Sequence, residues 1–142
     1  GSGVWKRRVD AAGGATEEGA TGRGTMGASL DASKALPDAV RALAGRAKEE
    51  ALAEVVSAVE ELLRDRVEVI AAGQEDFVRR RGFEDWAALM GPTAAAERLL
   101  NRAWSAASDG HREEAERSLG EAVGYAEEAA REAARIASAS AG

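Results

Sequence analysis

The chain lacks cysteine altogether and contains one histidine in 142 residues. The absence of cysteine excludes disulfides, thiol catalysis, iron–sulfur clusters and cysteine-ligated zinc. A single histidine excludes zinc sites built on histidine, and His111 lies beside a predicted turn glycine, where we expect it to be solvated. Adjacent acids such as Glu113 and Glu114 diverge by about 100° on a helix and cannot converge on one ion. We therefore expect a protein that is not an enzyme and holds no metal or cofactor, although catalysis by carboxylates alone stays open.

Aromatic residues and prolines are scarce, at 4% and two residues respectively, whereas 45% of the chain is hydrophobic. Much of that hydrophobic fraction is alanine, so each buried position contributes little and close helix packing has to compensate. Alanine, leucine and valine with few prolines are typical of helices and contain little strand material. The composition predicts an all-α fold.

Long apolar runs are also absent. No stretch approaches the roughly 18 residues of a membrane span, and no signal-peptide pattern is found. We expect no transmembrane segment. The lack of cysteine weakly favours the cytoplasm, but Gly1-Ser2-Gly3 resembles a cloning remnant, so targeting stays open.

The net charge of −6 is unevenly distributed. Residues 1–35 carry five basic against four acidic side chains, and residues 36–142 carry fourteen against twenty-one. The second part is thus acidic, which disfavours nonspecific binding of nucleic acid or anionic lipid.

Residues 1–35 are rich in Gly, Ala and Thr and show no sustained apolar period, which predicts a disordered arm. The arm contains one distinctive patch, Val4-Trp5-Lys6-Arg7-Arg8-Val9. Its candidate linear-motif residues are Trp5, Lys6, Arg7 and Arg8, which would dock on a partner or a membrane surface. The alternative is the edge of an element that lies upstream.

Residues 36–138 are predicted to form the helical domain, followed by a frayed tail at 139–142. Pro37 suits a first helical position, and apolar residues recur every three or four residues from there. This predicts one long or kinked helix over 37–81, with Gly45 and Gly73 as candidate breaks. A short helix at 83–90 would stop at Gly91-Pro92. Main helices at 93–108 and 111–138, separated by a turn at Asp109-Gly110, would complete an antiparallel bundle of three main helices.

The spacing of Ala103, Gly110, Ala115, Leu119 and Ala122 resembles that of a single tetratricopeptide repeat. The stretch DGHREEAERSLGEAVGYAEEA is also similar to the helical hairpin of a microtubule-interacting and trafficking domain. These resemblances cover residues 95–130. They imply a peptide-binding face that includes Leu99, Leu119 and Val123. An unrelated αα-hairpin with the same packing is the alternative.

Arg79-Arg80-Arg81 is the only basic cluster in the predicted domain, and Phe83 and Trp86 follow it closely. The cluster is a candidate site for a phosphate or an acidic partner. Cations at a helix C-terminus also have a purely structural role, because they favour the helix dipole. Trp86 and Trp104 are expected mainly in the core.

Taken together, these features predict a noncatalytic interaction or adaptor module that binds a helix or short peptide of another protein. One alternative is a structural subunit that self-associates through the long helix and the alanine face of the last helix. A weaker alternative is an anionic-ligand or nucleic-acid binder that uses Arg79 to Arg81.

Overall fold

Helices make up nearly all of residues 23–141, the part of the chain that the structure, a computed structural model, describes. The elements in chain order are α1 (Met26–Arg46), α2 (Leu52–Leu62), a π-helical turn (Leu63–Val67), α3 (Glu68–Ala72), α4 (Gln74–Arg81), α5 (Phe83–Ser108) and α6 (Arg112–Ala141). No strand occurs between residues 23 and 141, so the all-α class is confirmed. The predicted linear motif at residues 4–9 lies outside the described residues.

Residues 26–35 are helical, so the predicted disordered arm is wrong for this segment. Thr25 caps α1 by accepting a hydrogen bond from the Ala28 amide at 3.0 Å. Ser29 and Ser33 are buried, and their hydroxyls donate to the carbonyls of Ile70 and Ser29, each at 2.8 Å. Because each hydroxyl finds its own acceptor, this segment enters the interior without a continuous apolar stripe.

Pro37 lies inside α1 and does not begin it, contrary to the prediction. An interior proline costs a helix about 3 kcal/mol, because it removes a hydrogen bond and crowds the preceding turn. Leu36, Val40 and Leu43 are nevertheless buried on one face of α1, and Leu30 extends this face towards the N-terminus. Packing of that face outweighs the local preference of proline for a helix start.

The predicted long or kinked helix over 37–81 is divided into several helices, and of its two candidate breaks the structure has the one at Gly73 but not the one at Gly45. The chain leaves the helix after Arg46, and α2 begins only at Leu52. Gly45 itself remains helical. The guanidinium of Arg112 donates to the carbonyls of Ala47 and Glu50, at 2.8 and 2.7 Å. These acceptors belong to the connection between α1 and α2. A residue of α6 therefore stabilises a helix end that the local sequence does not predict.

A π-helical turn between α2 and α3 corrects the register of the buried face. Leu62 and Val67 are both buried although they are five residues apart. An uninterrupted α-helix would place Arg66, four residues after Leu62, on that face. The wider turn over Leu63–Val67 buries Val67 instead and leaves Arg66 exposed.

Gly73 separates α3 from α4 at a point where α1 approaches closely. Its position is buried, and a Cβ there would lie 2.0 Å from the Ser29 hydroxyl oxygen and 2.7 Å from the Thr25 carbonyl oxygen. Only glycine leaves room for this approach.

α5 passes through Gly91-Pro92 without ending, so the predicted helices 83–90 and 93–108 are one helix. Thr93 does not serve as an N-cap. It is buried, and its hydroxyl donates to the Leu89 carbonyl one turn earlier at 2.8 Å.

The predicted turn between the last two helices is confirmed. Gly110 adopts φ +84°, and the His111 amide donates to the Ala106 carbonyl at 2.8 Å, which ends α5. α6 then continues to Ala141, so the predicted frayed tail is wrong through that residue. Arg135, near the end of α6, lies 3.2 Å from Asp85 at the start of α5, so these two helices form an antiparallel hairpin.

The alanine face of α6 is covered within the chain, because α5 and α1 pack against it. Its buried residues are Ala115, Leu119, Ala122, Ala126, Ala129, Ala133 and Ile136. Small side chains let the helix axes approach closely, so dispersion contacts replace the large apolar residues that the chain lacks. No helix in residues 23–141 is long and apolar enough to cross a membrane.

Replacement of Gly73 by alanine is expected to destabilise the protein by about 1–3 kcal/mol, because the new methyl group would overlap Ser29 and the Thr25 backbone. The matched control is Gly124→Ala in α6, where a Cβ meets nothing within 4 Å. We expect this control to stabilise the helix by about 1 kcal/mol. Urea unfolding followed by circular dichroism measures both. Equal effects of the two substitutions would contradict the close approach.

Candidate functional site

The most exposed large hydrophobic side chain in the described part of the chain is Phe83, at 65% exposure, followed by Tyr125 at 42%. Phe83 borders an open groove of about 690 Å³. The groove is lined by Ala72, Gln74, Glu75, Val78, Arg79 and Phe83. It therefore combines apolar surface with one acidic and one basic side chain, and we refer to it as the Phe83 groove.

Gly82 lies immediately before Phe83 and separates the two helices on either side of it. It adopts φ +90° between α4 and α5, so the chain starts a new helix after a single residue. The aromatic residues on either side turn inwards: Phe77 and Trp86 pack edge to face, with ring centroids 5.3 Å apart. Trp86 is only 5% exposed. It therefore lies in the core, as predicted, and it offers little surface for its candidate role in partner binding, which stays a prediction.

Asp76 neutralises much of the predicted arginine cluster. Its carboxylate lies 2.6 Å from the guanidinium of Arg79 and 3.0 Å from that of Arg80. The same carboxylate accepts a hydrogen bond from the Met26 amide at 2.8 Å, so it also fixes the start of α1 on α4. This amide lowers the pKa of Asp76, burial opposes it, and the hydrogen bond from Arg80 lowers the pKa further.

Asp85 holds the third arginine in the same way. It accepts from Arg81 at 2.9 Å and from Arg135 at 3.2 Å. Burial raises the pKa of Asp85, but the hydrogen bonds from the two arginines prevail and lower it below its usual value. Arg81 thus connects α4 to α5, and Asp85 connects both to the end of α6.

The cluster that looks basic in the sequence is therefore not a basic surface. Residues 74–85 carry four acids against three arginines. Asp76 and Asp85 engage the arginines, whereas Glu75 and Glu84 form no salt bridge with any residue in the described range 23–141. Both glutamates are exposed, and Glu75 lines the Phe83 groove. Within residues 23–141, the charged side chains near Phe83 that form no salt bridge are therefore negative.

The residues that the family resemblance points to lie elsewhere. Leu119 is completely buried, and Leu99 and Val123 are partly buried against the core. α5 and α1 pack against that face of α6, so Leu119 has no exposed surface, and the peptide-binding role of the three residues stays a prediction. The structure does not bring any of these residues to the Phe83 groove.

The single histidine is exposed, as predicted, with its Nδ1 3.7 Å from a Glu114 carboxylate oxygen. Trp104 is half-buried, and its indole N–H donates to Glu60 at 2.9 Å. No group of three or more His, Asp or Glu side chains between residues 23 and 141 is arranged to hold a metal ion.

A second, smaller groove of about 290 Å³ lies between α1 and α2. It is lined by Ala39, Ala42, Leu43, Arg46, Ala58, Glu61, Leu62, Asp65 and Arg66. Leu43 and Leu62 are buried at its base, and its charged side chains are two arginines and two acids.

Comparisons with protein-family models, with curated proteins and with solved structures give no match to this chain. The function is therefore argued from the geometry alone. Sequence reasoning identified Phe83 and the arginines but missed Ala72, Glu75 and Val78, and it missed Asp76 as the partner of the arginines. The spacing of Asp76 to Arg79 and Arg80, three and four residues on, was the available signal for that network.

Substitution of Asp76 by asparagine is expected to destabilise the protein at pH 7, since the carboxylate joins Met26 to two arginines. The folded-state pKa is lowered, so this stabilisation is complete above the unfolded-state pKa and is lost as the pH falls towards the folded-state pKa. The difference in unfolding free energy between wild type and variant should therefore begin to shrink below about pH 4 and continue to shrink as the pH falls through the folded-state pKa. Denaturant titrations from pH 7 to pH 2.5 measure this difference. A gap that is independent of pH would contradict the ion-pair network.

Proposed function

We propose that the chain is a noncatalytic interaction module, an antiparallel helical bundle whose Phe83 groove accepts a short peptide or a helix of another protein. The observation that carries this proposal is the exposure of Phe83, 65%, beside the apolar side chains of Ala72 and Val78. Apart from Phe83 and Tyr125, the large hydrophobic residues of the described chain are buried or partly buried. Aromatic anchors in pockets commonly supply much of the binding energy of protein interfaces.

The size of the groove is consistent with a short ligand. Complete burial of an aromatic side chain removes up to about 200 Å² of surface from water, which corresponds to several kcal/mol at about 25 cal/mol per Å². Ordering of the ligand offsets part of this gain. One anchor with a few neighbouring contacts therefore suits a weak, reversible complex.

The charges beside the groove indicate the kind of ligand. Glu75 lines the groove, and Glu84 is an exposed residue that follows Phe83 in the chain. Neither has a salt-bridge partner within residues 23–141, so a ligand with lysine or arginine would complete these pairs. An apolar or aromatic residue of the ligand would lie against Phe83 and Val78. We therefore propose a ligand that combines an aromatic residue with adjacent basic residues.

Selection of a random peptide library on the purified protein tests this proposal. We expect enriched peptides to bind at least tenfold more weakly to Phe83→Ala, because the aromatic wall is lost. Tyr125→Ala, which removes the other exposed aromatic side chain, is the matched control and should bind normally. Affinities are measured by isothermal titration calorimetry. Failure to enrich any peptide, or equal binding to both variants, would sink the proposal.

Self-association is a second candidate, which the groove between α1 and α2 favours. Its charged side chains include both signs. Arg46 and Asp65 pair with Glu50 and Arg64 within the chain, so a second copy related by a twofold axis could pair Arg66 with Glu61. The alanine face of α6 does not contribute to this proposal, because it is buried within the chain.

Sedimentation equilibrium tests self-association. We expect a dimer mass at high protein concentration that Ala42→Glu abolishes, because Ala42 is an exposed residue of the groove and a charged side chain would block contact. Ala134→Glu, at an exposed position of α6, is the control and should leave the dimer intact. A monomer at every concentration would eliminate this candidate.

Binding of an anionic ligand or nucleic acid through Arg79 to Arg81 has less support. Asp76 and Asp85 already engage the three guanidinium groups, and the acids that remain without a partner would repel a phosphate.

A further inference from the structure

We propose that the Phe83 groove is occupied by the chain's own segment 4–9, Val4-Trp5-Lys6-Arg7-Arg8-Val9, which competes with external ligands. This inference rests on the proposed function of the groove. It assigns a role to the aromatic and basic patch that the sequence contains at residues 4–9. The segment would act as a built-in competitor whose release exposes the binding surface.

The start of α1 lies beside the helix that lines the groove. The amide of Met26 lies 2.8 Å from Asp76, a residue of α4. Glu75, next to Asp76, lines the groove, as do Val78 and Arg79 on the same helix. Chain that precedes α1 therefore enters the described structure beside the helix that forms one side of the groove.

The connecting length is sufficient. Residues 10–22 lie between the segment and Arg23, the first described residue. A chain of this length spans at most about 45 Å. The groove begins at Ala72 and Gln74, on either side of Gly73, and Gly73 is in close approach to Thr25. This length is enough for the segment to extend to Phe83 without any rearrangement of the helices.

The chemistry of the segment matches that of the groove. Trp5 supplies an aromatic ring for the exposed Phe83, and aromatic pairs contribute about 0.5–1.5 kcal/mol beyond their buried area. Lys6, Arg7 and Arg8 supply three positive charges, and Glu75 and Glu84 form no salt bridge within residues 23–141. Because the segment is tethered, its effective concentration is in the millimolar range, so even weak contacts would keep the groove occupied.

Paramagnetic relaxation in the full-length protein tests this contact. The chain has no cysteine, so Gln74→Cys introduces a single attachment site for a nitroxide at the edge of the groove. The indole N–H signal of Trp5, assigned with Trp5→Ala, should be strongly broadened. The control nitroxide at Ser108→Cys lies at the other end of α5, about 37 Å from Phe83, and should leave the signal sharp.

Two further measurements make the assignment specific. Phe83→Ala should restore the Trp5 signal in the Gln74-labelled protein, whereas Tyr125→Ala should not. In a second sample, chains enriched in ¹⁵N but without a nitroxide are mixed with chains that carry the nitroxide but no ¹⁵N. The Trp5 signal of the ¹⁵N chains should show no broadening in this mixture, because the contact is within one chain. Broadening in that mixture would overturn the proposal in favour of contact between copies, and a sharp Trp5 signal in the Gln74-labelled protein would overturn it directly.

The affinity of the groove provides a separate readout. A synthetic peptide of residues 2–11 should bind Trp5→Ala about tenfold more tightly than wild type, if the tethered segment occupies the groove nine-tenths of the time. Library peptides that lose binding in Phe83→Ala but bind wild type and Trp5→Ala equally would leave the proposed function standing and overturn the tethered competitor. A broadened Trp5 signal with no library peptide enriched would support docking of the tethered segment and contradict the binding of external peptides.

Discussion

The contact between the start of α1 and the α3–α4 segment is the constraint on which the rest of the structure depends. Gly73 removes the side chain that would keep these helices apart, and Ser29 donates to the Ile70 carbonyl across the contact. Asp76 also accepts a hydrogen bond from the backbone amide of Met26 at the start of α1. These interactions convert a serine- and glycine-rich stretch into the first helix of the fold, because hydrogen bonds satisfy the polar groups that burial would otherwise leave without partners.

This contact also determines the character of the candidate site. The Asp76 carboxylate accepts a hydrogen bond from the Met26 amide of α1 and forms salt bridges with Arg79 and Arg80. It thereby neutralises most of a basic cluster that would otherwise attract anions. Asp85 binds Arg81 and Arg135 and joins α4, α5 and α6 at the same end of the molecule. Nearby are an exposed phenylalanine and two glutamates that form no salt bridge within residues 23–141. A surface of this kind suits an aromatic and basic ligand better than a phosphate.

Several elements were predictable because their signals are local. The glycine turn after α5 follows from Asp109-Gly110, and the helical class follows from composition. The errors occurred where a distant residue decided the outcome. Arg112 stabilises the break after Arg46, and the π-helical turn brings Val67 rather than Arg66 to the buried face. The exposure of Phe83 and the burial of Trp86, three residues later, follow from packing that the spacing alone did not distinguish.

The sequence by itself therefore determined an all-helical chain without cysteine chemistry or a histidine cluster, because composition and local turn residues are sufficient for those conclusions. The tertiary structure decided where helices begin and break, which arginines are neutralised and which aromatic residue faces solvent. The physical reason is that each of these outcomes depends on partners tens of residues away, such as Met26 with Asp76 and Asp85 with Arg135. Periodicity describes a helix face, but only packing determines what covers it.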